Sequence, residues 1–357
     1  MSSLIFGVKG QDGSFLAEQL LEKGEQVIGV YRRSSSQNDW RIKHLLKNPN
    51  LILVEGDITD SGSIFTLLSK FKPKYIYNLA AQSHVGSSFS QPELTWNITA
   101  LGHMKLLECV RTLGLDTRIY FAASSEMYGD QYSTYENLLV GVTGAGSLAF
   151  KTQTGEYTGS RYSKPYQDEN TVMNPQSPYA IAKLAAYQAN KLYRNSYGLF
   201  TCSGILFNHE SERRGEEFVT RKITRWLGRY MSGKSVPTLK LGNLHSKRDW
   251  GYSADYTKIM TKIIEHNEPD DFVIGTGNTI TVQQFLTDAF ICAGLKKDSI
   301  EFLVEVDESL KRPSEVPFLC ASSLKAKKSF DIDLKDSYAN MVCKMVEHDM
   351  ELGKRET

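Results

Sequence analysis

The sequence has 357 residues, which is long enough for one large domain or for two. Its hydrophobic fraction of 41% and charged fraction of 23% are those of an ordinary globular protein. The formal net charge of +1 excludes a global attraction to nucleic acid or to an anionic membrane, so an anionic ligand must be bound by local basic residues.

Cysteine usage and the lack of targeting patterns predict a cytoplasmic protein. The chain shows neither a secretory leader nor an apolar run long enough to span a bilayer. The cysteines are widely spaced and show no metal-ligand pairing, so we expect reduced thiols and no bound metal. They are Cys109, Cys202, Cys292, Cys320 and Cys343.

Strand-like runs alternate with helical patterns along the first part of the chain. The predicted strands are residues 4–8, 26–31, 51–54, 75–79, 119–123 and 201–206. Helical patterns separate these runs, and the longest covers residues 178–195. Gly24 is in the position of a glycine that ends the first helix. The alternation predicts an α/β fold with a doubly wound parallel sheet and helices on both faces.

The pattern loosens after residue 207. We predict a dinucleotide-binding domain over residues 1–207 and a smaller, mixed α/β substrate-binding domain over residues 208–357. Segments within about 245–275 are expected to return to the first domain, since residues 271–275 read as another strand. Residues 130–170 are rich in Gly, Ser, Thr and Tyr without periodicity, which predicts an inserted loop that is a functional lid or disordered.

Three glycines follow the first strand and begin the first helix. Gly7, Gly10 and Gly13 are spaced so that backbone N–H groups can approach a pyrophosphate at a helix N-terminus. A tight glycine-rich turn without a ligand is the alternative. The spacing resembles that of the short-chain dehydrogenase/reductase superfamily, which implies a Rossmann-type fold.

The end of the second strand distinguishes the two nicotinamide cofactors. NAD sites usually have an acidic residue there, whereas NADP sites use Arg for the 2′-phosphate. Here Arg32 and Arg33 follow Tyr31 and no acid is present, which favours NADP over NAD. A solvated basic turn that binds no cofactor is the alternative. Asp57 after the third strand matches the adenine-facing aspartate of the superfamily. Small residues at the end of the fourth strand would let the dinucleotide lie close.

Tyr179 and Lys183 form the predicted centre of the chemistry. They are four residues apart, so they lie on one face of a helix. An ammonium near a phenol favours the phenolate and lowers its pKa from about 10, which suits removal of a proton from a sugar hydroxyl. Ser124 would hydrogen-bond that hydroxyl. Glu126, two residues on, would act as the carboxylate base that removes a C5 proton, although a role as a turn residue stays open.

The chain resembles the GDP-mannose 4,6-dehydratase family over nearly its whole length. Besides the glycine loop and residues 32–36, the stretches that carry the resemblance are AQSHV at 81–85, GILFNHES at 204–211, the matches within 213–222, LGNL at 241–244, KRDWG at 247–251 and RPSEV at 312–316. Together they distinguish this family from relatives that act on UDP- and dTDP-sugars.

The resemblance implies a role for each matching position. The residues implied to bind NADP are Gly7, Gly10, Gln11, Asp12, Gly13, Arg32, Asp57, Ile58, Leu79, Ala80, Ala81, Ser83, Tyr179, Lys183, Leu206, Asn208, His209 and Arg214. The residues implied to bind the GDP-sugar are Ser83, Ser125, Glu126, Asn208, Lys222, Leu241, Gly242, Arg248, Arg312 and Glu315. Basic side chains suit a diphosphate, because Arg supplies charge-assisted bidentate donors.

The implied reaction is the dehydration of GDP-mannose to GDP-4-keto-6-deoxymannose by internal hydride transfer, catalysed by a hydro-lyase. A homo-oligomer, dimer or tetramer, is also implied, in which residues 33–41 reach a neighbouring subunit's cofactor site. The alternatives are a related GDP-sugar enzyme, such as a GDP-manno-heptose 4,6-dehydratase, an epimerase or a 4-keto reductase. A nucleotide-sensing protein without catalysis is the non-enzymatic alternative.

Three features depart from the family pattern. Ser124 replaces the usual Thr and keeps the hydroxyl. Lys9 enters the glycine loop, where we expect it to assist the pyrophosphate or to point to solvent. The segment between Ser124 and Tyr179 is considerably longer than in the family, and this insertion makes the substrate less certain than the class of reaction.

Overall fold

Strands and helices alternate along most of the chain. The computed structural model describes residues 1–35, 38–134, 140–142, 148–152, 155–158, 165–310, 313–334 and 337–356. In chain order the strands are β1 (Ser2–Phe6), β2 (Gln26–Tyr31), β3 (Leu51–Glu55), β4 (Tyr75–Asn78), β5 (Arg118–Ser124), β6 (Val140–Val142), β7 (Leu148–Thr152), β8 (Gly155–Thr158), β9 (Thr201–Leu206), β10 (Asn208–Glu210), β11 (Leu239–Leu241), β12 (Lys247–Tyr252), β13 (Asp271–Ile274), β14 (Thr279–Thr281) and β15 (Val304–Val306). The helices are α1 (Gln11–Glu22), α2 (Ser61–Phe71), α3 (Val85–Ser90), α4 (Pro92–Trp96), α5 (Gly102–Leu113), α6 (Pro178–Tyr197), α7 (Val219–Met231), α8 (Ser253–Glu265), α9 (Val282–Cys292), α10 (Ile300–Leu303), α11 (Leu324–Phe330) and α12 (Ser337–Arg355).

A seven-stranded parallel sheet forms the centre of the fold. Its strand order is β13-β9-β5-β4-β1-β2-β3, and all of its pairs are parallel. The predicted class, a doubly wound parallel sheet, is therefore confirmed. The order reverses at β1, since β2 and β3 follow on one side and β4 returns to the other. Such a reversal opens a crevice at the carboxyl ends of the strands, where ligands of α/β sheets bind.

Helices cover both faces of this sheet, which explains why its strands are continuous apolar runs. Leu4 and Ile5 point to opposite faces of β1, and both are fully buried. Ile5 packs with side chains of α1 and α8, whereas Leu4 packs with side chains of α2, α5 and α6. Gly24 follows α1 with a φ of +77°, in the conformation expected of a helix-ending glycine.

The chain after β9 builds a second apolar cluster. Side chains of α7, α9 and α12 form it, with Trp226, Phe285 and Met345 among its buried members. Strand β13 joins the edge of the main sheet beside β9. The division into two domains at residue 207 stays a prediction. In the part of the chain that the structure describes, none of the helices combines the length and apolar character required to cross a bilayer.

A disulfide joins α9 to α12 and corrects the prediction of reduced thiols. Cys292 and Cys343 are bonded, and their Cα atoms are 5.4 Å apart. Cys109, Cys202 and Cys320 are free and buried. The bonded pair is separated by 51 positions in the sequence, so its closeness depends on the packing of α9 against α12 and not on local spacing.

The insertion predicted as an aperiodic loop contains regular structure. Strands β6, β7 and β8 form an antiparallel sheet within residues 130–170. Each strand has only three to five residues. Segments this short do not show a readable alternation of apolar and polar residues, and this is why the sequence pattern missed them.

Candidate active site

The glycine loop lies in the crevice where β1 and β4 end. Gly7 has a φ of +88°, which favours glycine. A Cβ on Gly7 would lie 3.2 Å from the backbone carbonyl carbon of Leu79, and a Cβ on Gly13 would collide with the Gly7 carbonyl oxygen. Gly10 precedes α1 without a side-chain cap, so N–H groups of the first turn are available to an anion.

Two basic residues near this loop are bound by their own chain. The Lys9 ammonium pairs with Asp39 at 2.5 Å and lies 3.8 Å from the centre of the Tyr31 ring. This pairing corrects the expectation that Lys9 points to solvent or assists a pyrophosphate. Arg41 donates to the Arg213 carbonyl at 2.6 Å. The reach of residues 33–41 to a neighbouring subunit stays a prediction, and residues 36 and 37 lie outside the described part.

The adenine end of the predicted cofactor site lies beside this loop. Arg32 is exposed at the end of β2. Asp57 follows β3, and its Oδ1 accepts hydrogen bonds from the backbone N–H and the hydroxyl of Thr59, both at 2.8 Å. Ile58 is buried next to it. These residues are at the carboxyl edge of the sheet, where a dinucleotide would cross.

A cavity of about 400 Å³ lies at the carboxyl ends of β4, β5 and β9. The predicted site residues that line it are Asp12, Leu79, Ala81, Ser83, Ser124, Ser125, Glu126, Tyr179, Lys183, Leu206, Asn208, His209, Arg214, Lys222, Leu241, Gly242, Arg248 and Glu315. The predicted residues that lie outside it are Gly7, Gly10, Gln11, Gly13, Arg32, Asp57, Ile58 and Ala80. Arg312 lies outside the described residues. The structure thus gathers the four predicted catalytic residues in one cavity.

Helix α6 places Tyr179 in its first turn. The Ser177 hydroxyl caps this helix by accepting from the Ala180 N–H at 3.1 Å, and Pro178 occupies the first helical position. Burial raises the pKa of Tyr179 to about 12, while a hydrogen bond with Ser124 and the charge of Arg214 act in the opposite direction. The phenol is therefore protonated at neutral pH.

Lys183 lies one turn further along α6. Its Nζ donates to the Ala122 carbonyl at 2.6 Å and is 5.8 Å from the centre of the Tyr179 ring. Burial lowers the pKa of Lys183 to about 8. Desolvation of the phenol outweighs the favourable charges around Tyr179, so its net pKa is raised. That Lys183 lowers the pKa of Tyr179 stays a prediction.

Ser124 and Glu126 are placed by the end of β5. Ser124 is the last residue of this central strand, and its Oγ accepts from the Glu126 N–H at 3.3 Å. A short 3-10 turn, Ser125–Tyr128, follows, and Met127 and Tyr128 anchor it because both are fully buried. The Glu126 side chain is 8% exposed. The turn therefore holds a hydroxyl and a carboxyl group beside Tyr179.

Asp12 and His209 tie the first turn of α1 to β10. The Asp12 carboxylate accepts from His209 Nε2 and from the Ser253 hydroxyl, both at 2.8 Å. Burial alone would raise the pKa of Asp12, but the charge and hydrogen bond of His209, the Ser253 hydroxyl and the charge of Arg214 together outweigh it and keep the pKa well below its usual range. Burial would likewise lower the pKa of His209, whereas Asp12 raises it. The cofactor loop is thereby fixed relative to the far wall of the cavity.

Arg248 forms part of that wall with a loop near residue 315. Its guanidinium donates to the Glu315 carboxylate at 2.6 Å and to the Val316 carbonyl at 2.7 Å. Asn208 and Lys222 line the same cavity. The Oδ1 atom of Asn208 is buried and has no hydrogen-bond partner among the described residues. A buried amide oxygen of this kind is costly, so it marks a position suited to a ligand donor.

Several cavity residues had no predicted role. They are His84, Val85, Gly86, Ala122, Ala123, Phe207, Glu210, Glu217, Phe218, Val219, Thr220, Asn243, Ser246, Trp250, Val282 and Leu310. Many of them belong to stretches that carry the family resemblance, which is the signal that could have found them. Others, such as Val282 and Leu310, reach the cavity only through packing of distant segments.

Comparisons with known proteins agree with this geometry. The family described as NAD dependent epimerase/dehydratase matches residues 3–275. The chain is 40% identical to GDP-mannose 4,6 dehydratase 1 of Arabidopsis thaliana, with 99% of this chain and 91% of that protein covered. It is 39% identical to the human GDP-mannose 4,6 dehydratase, with 98% and 91% covered.

A solved structure supports the fold. A dTDP-glucose 4,6-dehydratase of Streptomyces venezuelae, crystallised with NAD, superposes with a TM-score of 0.78 at 20% identity, covering 98% of this chain and 97% of that one. The chain therefore belongs to the GDP-mannose 4,6-dehydratase family, within the NAD dependent epimerases and dehydratases, as its sequence motifs predicted.

Proposed function

We propose that the chain catalyses the NADP-dependent dehydration of GDP-mannose to GDP-4-keto-6-deoxymannose. The observation that carries the proposal is that Tyr179 and Glu126 line the same cavity as Lys222 and Arg248. An acid–base pair suited to a sugar thus lies beside cations suited to a diphosphate. The Arabidopsis thaliana and human proteins that resemble this chain are both named GDP-mannose 4,6 dehydratase, after the reaction proposed here.

The residues of the crevice fit a nicotinamide dinucleotide. Gly13 has no room for a Cβ, and the first turn of α1 has no side-chain cap, so the backbone forms a cradle for a pyrophosphate. When bound, the nicotinamide supplies a reversible hydride acceptor, so that the hydrogen removed at C4 can be returned to C6. The glycine loop would hold the pyrophosphate, and Asp57 would face the adenosine end.

Arg32 supports NADP as the preferred form. Its exposed guanidinium follows β2, where an acidic residue would otherwise bind a ribose hydroxyl of NAD. An Arg at this position can pair with a 2′-phosphate through two N–H groups. We expect Arg32→Asp to weaken NADP binding and to leave NAD binding nearly unchanged, as measured by calorimetry. Equal losses for both dinucleotides would contradict this assignment.

Tyr179 and Ser124 act on the C4 hydroxyl. Ser124 Oγ would orient that hydroxyl, and Tyr179 Oη would take its proton as the C–H bond is oxidised. Tyr179 can take this proton only as the phenolate, and burial raises the pKa of Tyr179 to about 12. The phenol must therefore first release its own proton to solvent, and Lys183 and Arg214, which both line the cavity, are the cations that would favour the phenolate.

Glu126 supports the dehydration step. The ketone formed at C4 makes the C5 proton acidic, and a carboxylate can remove that proton and pass it to the C6 hydroxyl, so that the C6–O bond breaks with loss of water. Hydride delivery to C6 and proton return to C5 complete the product, so the reaction loses one water and consumes no cofactor. The Glu126 side chain is nearly buried, which limits competition from bulk water.

The test is the mass of the nucleotide sugar after incubation with GDP-mannose and NADP. Wild type should release one water per sugar, and Glu126→Gln should oxidise C4 without losing water. Asp130→Asn, which changes an exposed carboxylate in the same loop, is the matched control and should retain turnover. Full dehydration by Glu126→Gln would overturn the assigned role. Water loss from GDP-manno-heptose but not from GDP-mannose would replace the substrate and leave the class of reaction intact.

A further inference from the structure

The insertion leaves and re-enters the fold at a closed root. Ser133 and Tyr166 exchange two backbone hydrogen bonds, at 2.8 and 3.0 Å, and form an antiparallel bridge. The Ser133 hydroxyl also bonds to the hydroxyl of Thr171 at 2.8 Å. We call residues 131–133 and 166–167 the insertion root. It follows the turn that carries Glu126, so it lies next to the active site in the chain.

Gln167 joins the insertion root to a second segment, residues 315–322, which we call the wall segment. The Gln167 side chain is fully buried. Its Oε1 accepts from the Cys320 N–H at 2.8 Å, and its Nε2 donates to the Gln131 carbonyl at 3.1 Å. Backbone hydrogen bonds from Gln167 to Cys320 and from Ser322 to Gln167, both 2.8 Å, complete the junction.

The wall segment runs from this junction to the cavity. Lys247 exchanges backbone hydrogen bonds with Pro317 and Leu319, at 3.1 and 3.2 Å. The next residue, Arg248, binds Glu315 at the start of the segment. Glu315 and Arg248 line the cavity, whereas Gln167 is not among the residues that line it. A displacement of the wall segment at Cys320 would therefore be transmitted to the residues expected to hold the substrate diphosphate.

We infer that Gln167 is a positioning residue for the nucleotide-sugar site, and this inference rests on the proposed function. The amide is suited to this role because one end accepts from the wall segment while the other donates to the insertion root. Loss of the amide would remove the Oε1 acceptor of the buried Cys320 N–H, and the loss of such a hydrogen bond favours rearrangement of the backbone around it. The junction thus couples the insertion to the geometry of Arg248 and Glu315.

A contact between two aromatic rings also joins the insertion root to the wall segment. The Tyr132 ring of the insertion root packs edge-on against Phe318 of the wall segment, with ring centres 6.4 Å apart. Tyr132 is 55% exposed, so its replacement does not open a cavity in the core. It provides a second perturbation of the same junction with little risk to folding.

The test compares Gln167→Met with wild type. Methionine keeps the volume and the backbone hydrogen bonds but removes the three hydrogen bonds of the amide, which include a longer one from Nε2 to the Phe318 carbonyl at 3.5 Å. We expect the affinity for GDP, measured by calorimetry, to fall about tenfold, and the KM for GDP-mannose to rise by a similar factor. The kcat and the affinity for NADP should change less than about threefold, because Gln167 touches neither the reacting atoms nor the glycine loop. Gln284→Met, an exposed glutamine on α9, is the matched control.

The outcomes separate the inference from the proposed function. A Gln167→Met variant that melts earlier but binds GDP as tightly as wild type would overturn the positioning role. Wild type that binds GDP but does not dehydrate GDP-mannose would overturn the proposed reaction, and the GDP affinities would still decide the role of Gln167. If wild type does not bind GDP, both proposals are wrong.

If Gln167→Met does not fold, Tyr132→Ala decides the question. We expect it to weaken GDP binding about threefold, since it removes one ring contact and no hydrogen bond of the junction. Tyr197→Ala removes a ring of similar exposure, 54%, at the far end of α6 and should leave GDP binding unchanged. Equal GDP affinities for wild type and Tyr132→Ala would count against the coupling of the root to the wall segment.

Discussion

Replacement of Lys183 by methionine should strongly reduce the rate of dehydration and raise the stability of the protein at neutral pH. The Lys183 side chain is almost completely buried, and burial lowers its pKa from 10.5 to about 8. A change of this size corresponds to about 3 kcal/mol by which burial disfavours the charged form. Methionine occupies a similar volume without a charge, so at pH 7 this cost is removed.

The net gain is smaller than the cost that is removed. Lys183 donates a 2.6 Å hydrogen bond to the Ala122 carbonyl, and loss of the donor to a buried carbonyl costs about 1 to 2 kcal/mol. We therefore expect the free energy of unfolding of Lys183→Met to exceed that of wild type by about 1 to 2 kcal/mol near pH 7. The loss of activity should be about 100-fold or more.

The pH dependence distinguishes this mechanism from improved packing. Above about pH 8 the folded wild type loses the buried charge while the unfolded chain remains protonated, so wild type gains stability as the pH rises. The advantage of Lys183→Met should therefore be greatest below pH 8 and shrink towards about pH 10. Urea denaturation of both proteins across this range measures it, and Lys191→Met on the same helix controls for removal of a cation. A variant that is less stable than wild type at pH 7, or an advantage independent of pH, would refute the reasoning.

Three further perturbations test other parts of the site. Gly13→Ala should weaken NADP binding about tenfold or more in calorimetry, because a Cβ there collides with a backbone carbonyl of the glycine loop; unchanged affinity would argue against the cradle. Wild type should exceed Asp12→Asn in stability most between about pH 4 and 6.5. The lowered pKa of Asp12 stabilises the folded protein above the ordinary pKa of an aspartate. The raised pKa of His209 stabilises the folded protein until the pH rises through that raised pKa. Denaturation at several pH values checks this, and a difference that grows above pH 8 would contradict it. Arg248→Lys should raise the KM for GDP-mannose about tenfold with little change in kcat, because an ammonium cannot bind both Glu315 and the neighbouring carbonyl as the guanidinium does; steady-state kinetics with an unchanged KM would exclude the assigned role.

The main sheet could be predicted because its information is local. Residues 26–31 and 201–206 were predicted as strands with the bounds that the structure shows, since strands buried on both faces are continuous apolar runs between turn residues. Tyr179 and Lys183 were also predictable, because a separation of four residues on a helix fixes their common face. Local pattern thus determined both the frame and the centre of the cavity.

Features that depend on distant segments could not be predicted in this way. The Cys292–Cys343 bond, the pairing of Lys9 with Asp39 and the junction at Gln167 each join positions that no local pattern relates. The raised pKa of Tyr179 could not be predicted from local pattern either, because it depends on how much solvent the residues around the cavity exclude. Sequence identifies the chemical groups, but packing decides their protonation and their partners.

Internal transfer of hydrogen from C4 to C6 is the central claim, and an isotope label tests it most directly. GDP-mannose with deuterium at C4 is converted by wild type in the presence of NADP, and the position of the label in the product is determined by NMR. Because the same cavity holds Tyr179 for the C4 hydroxyl and Glu126 for the C5 proton, we predict deuterium at C6 of GDP-4-keto-6-deoxymannose and no accumulation of reduced cofactor. Deuterium lost to solvent, retained at C4 or left on the cofactor would contradict the account.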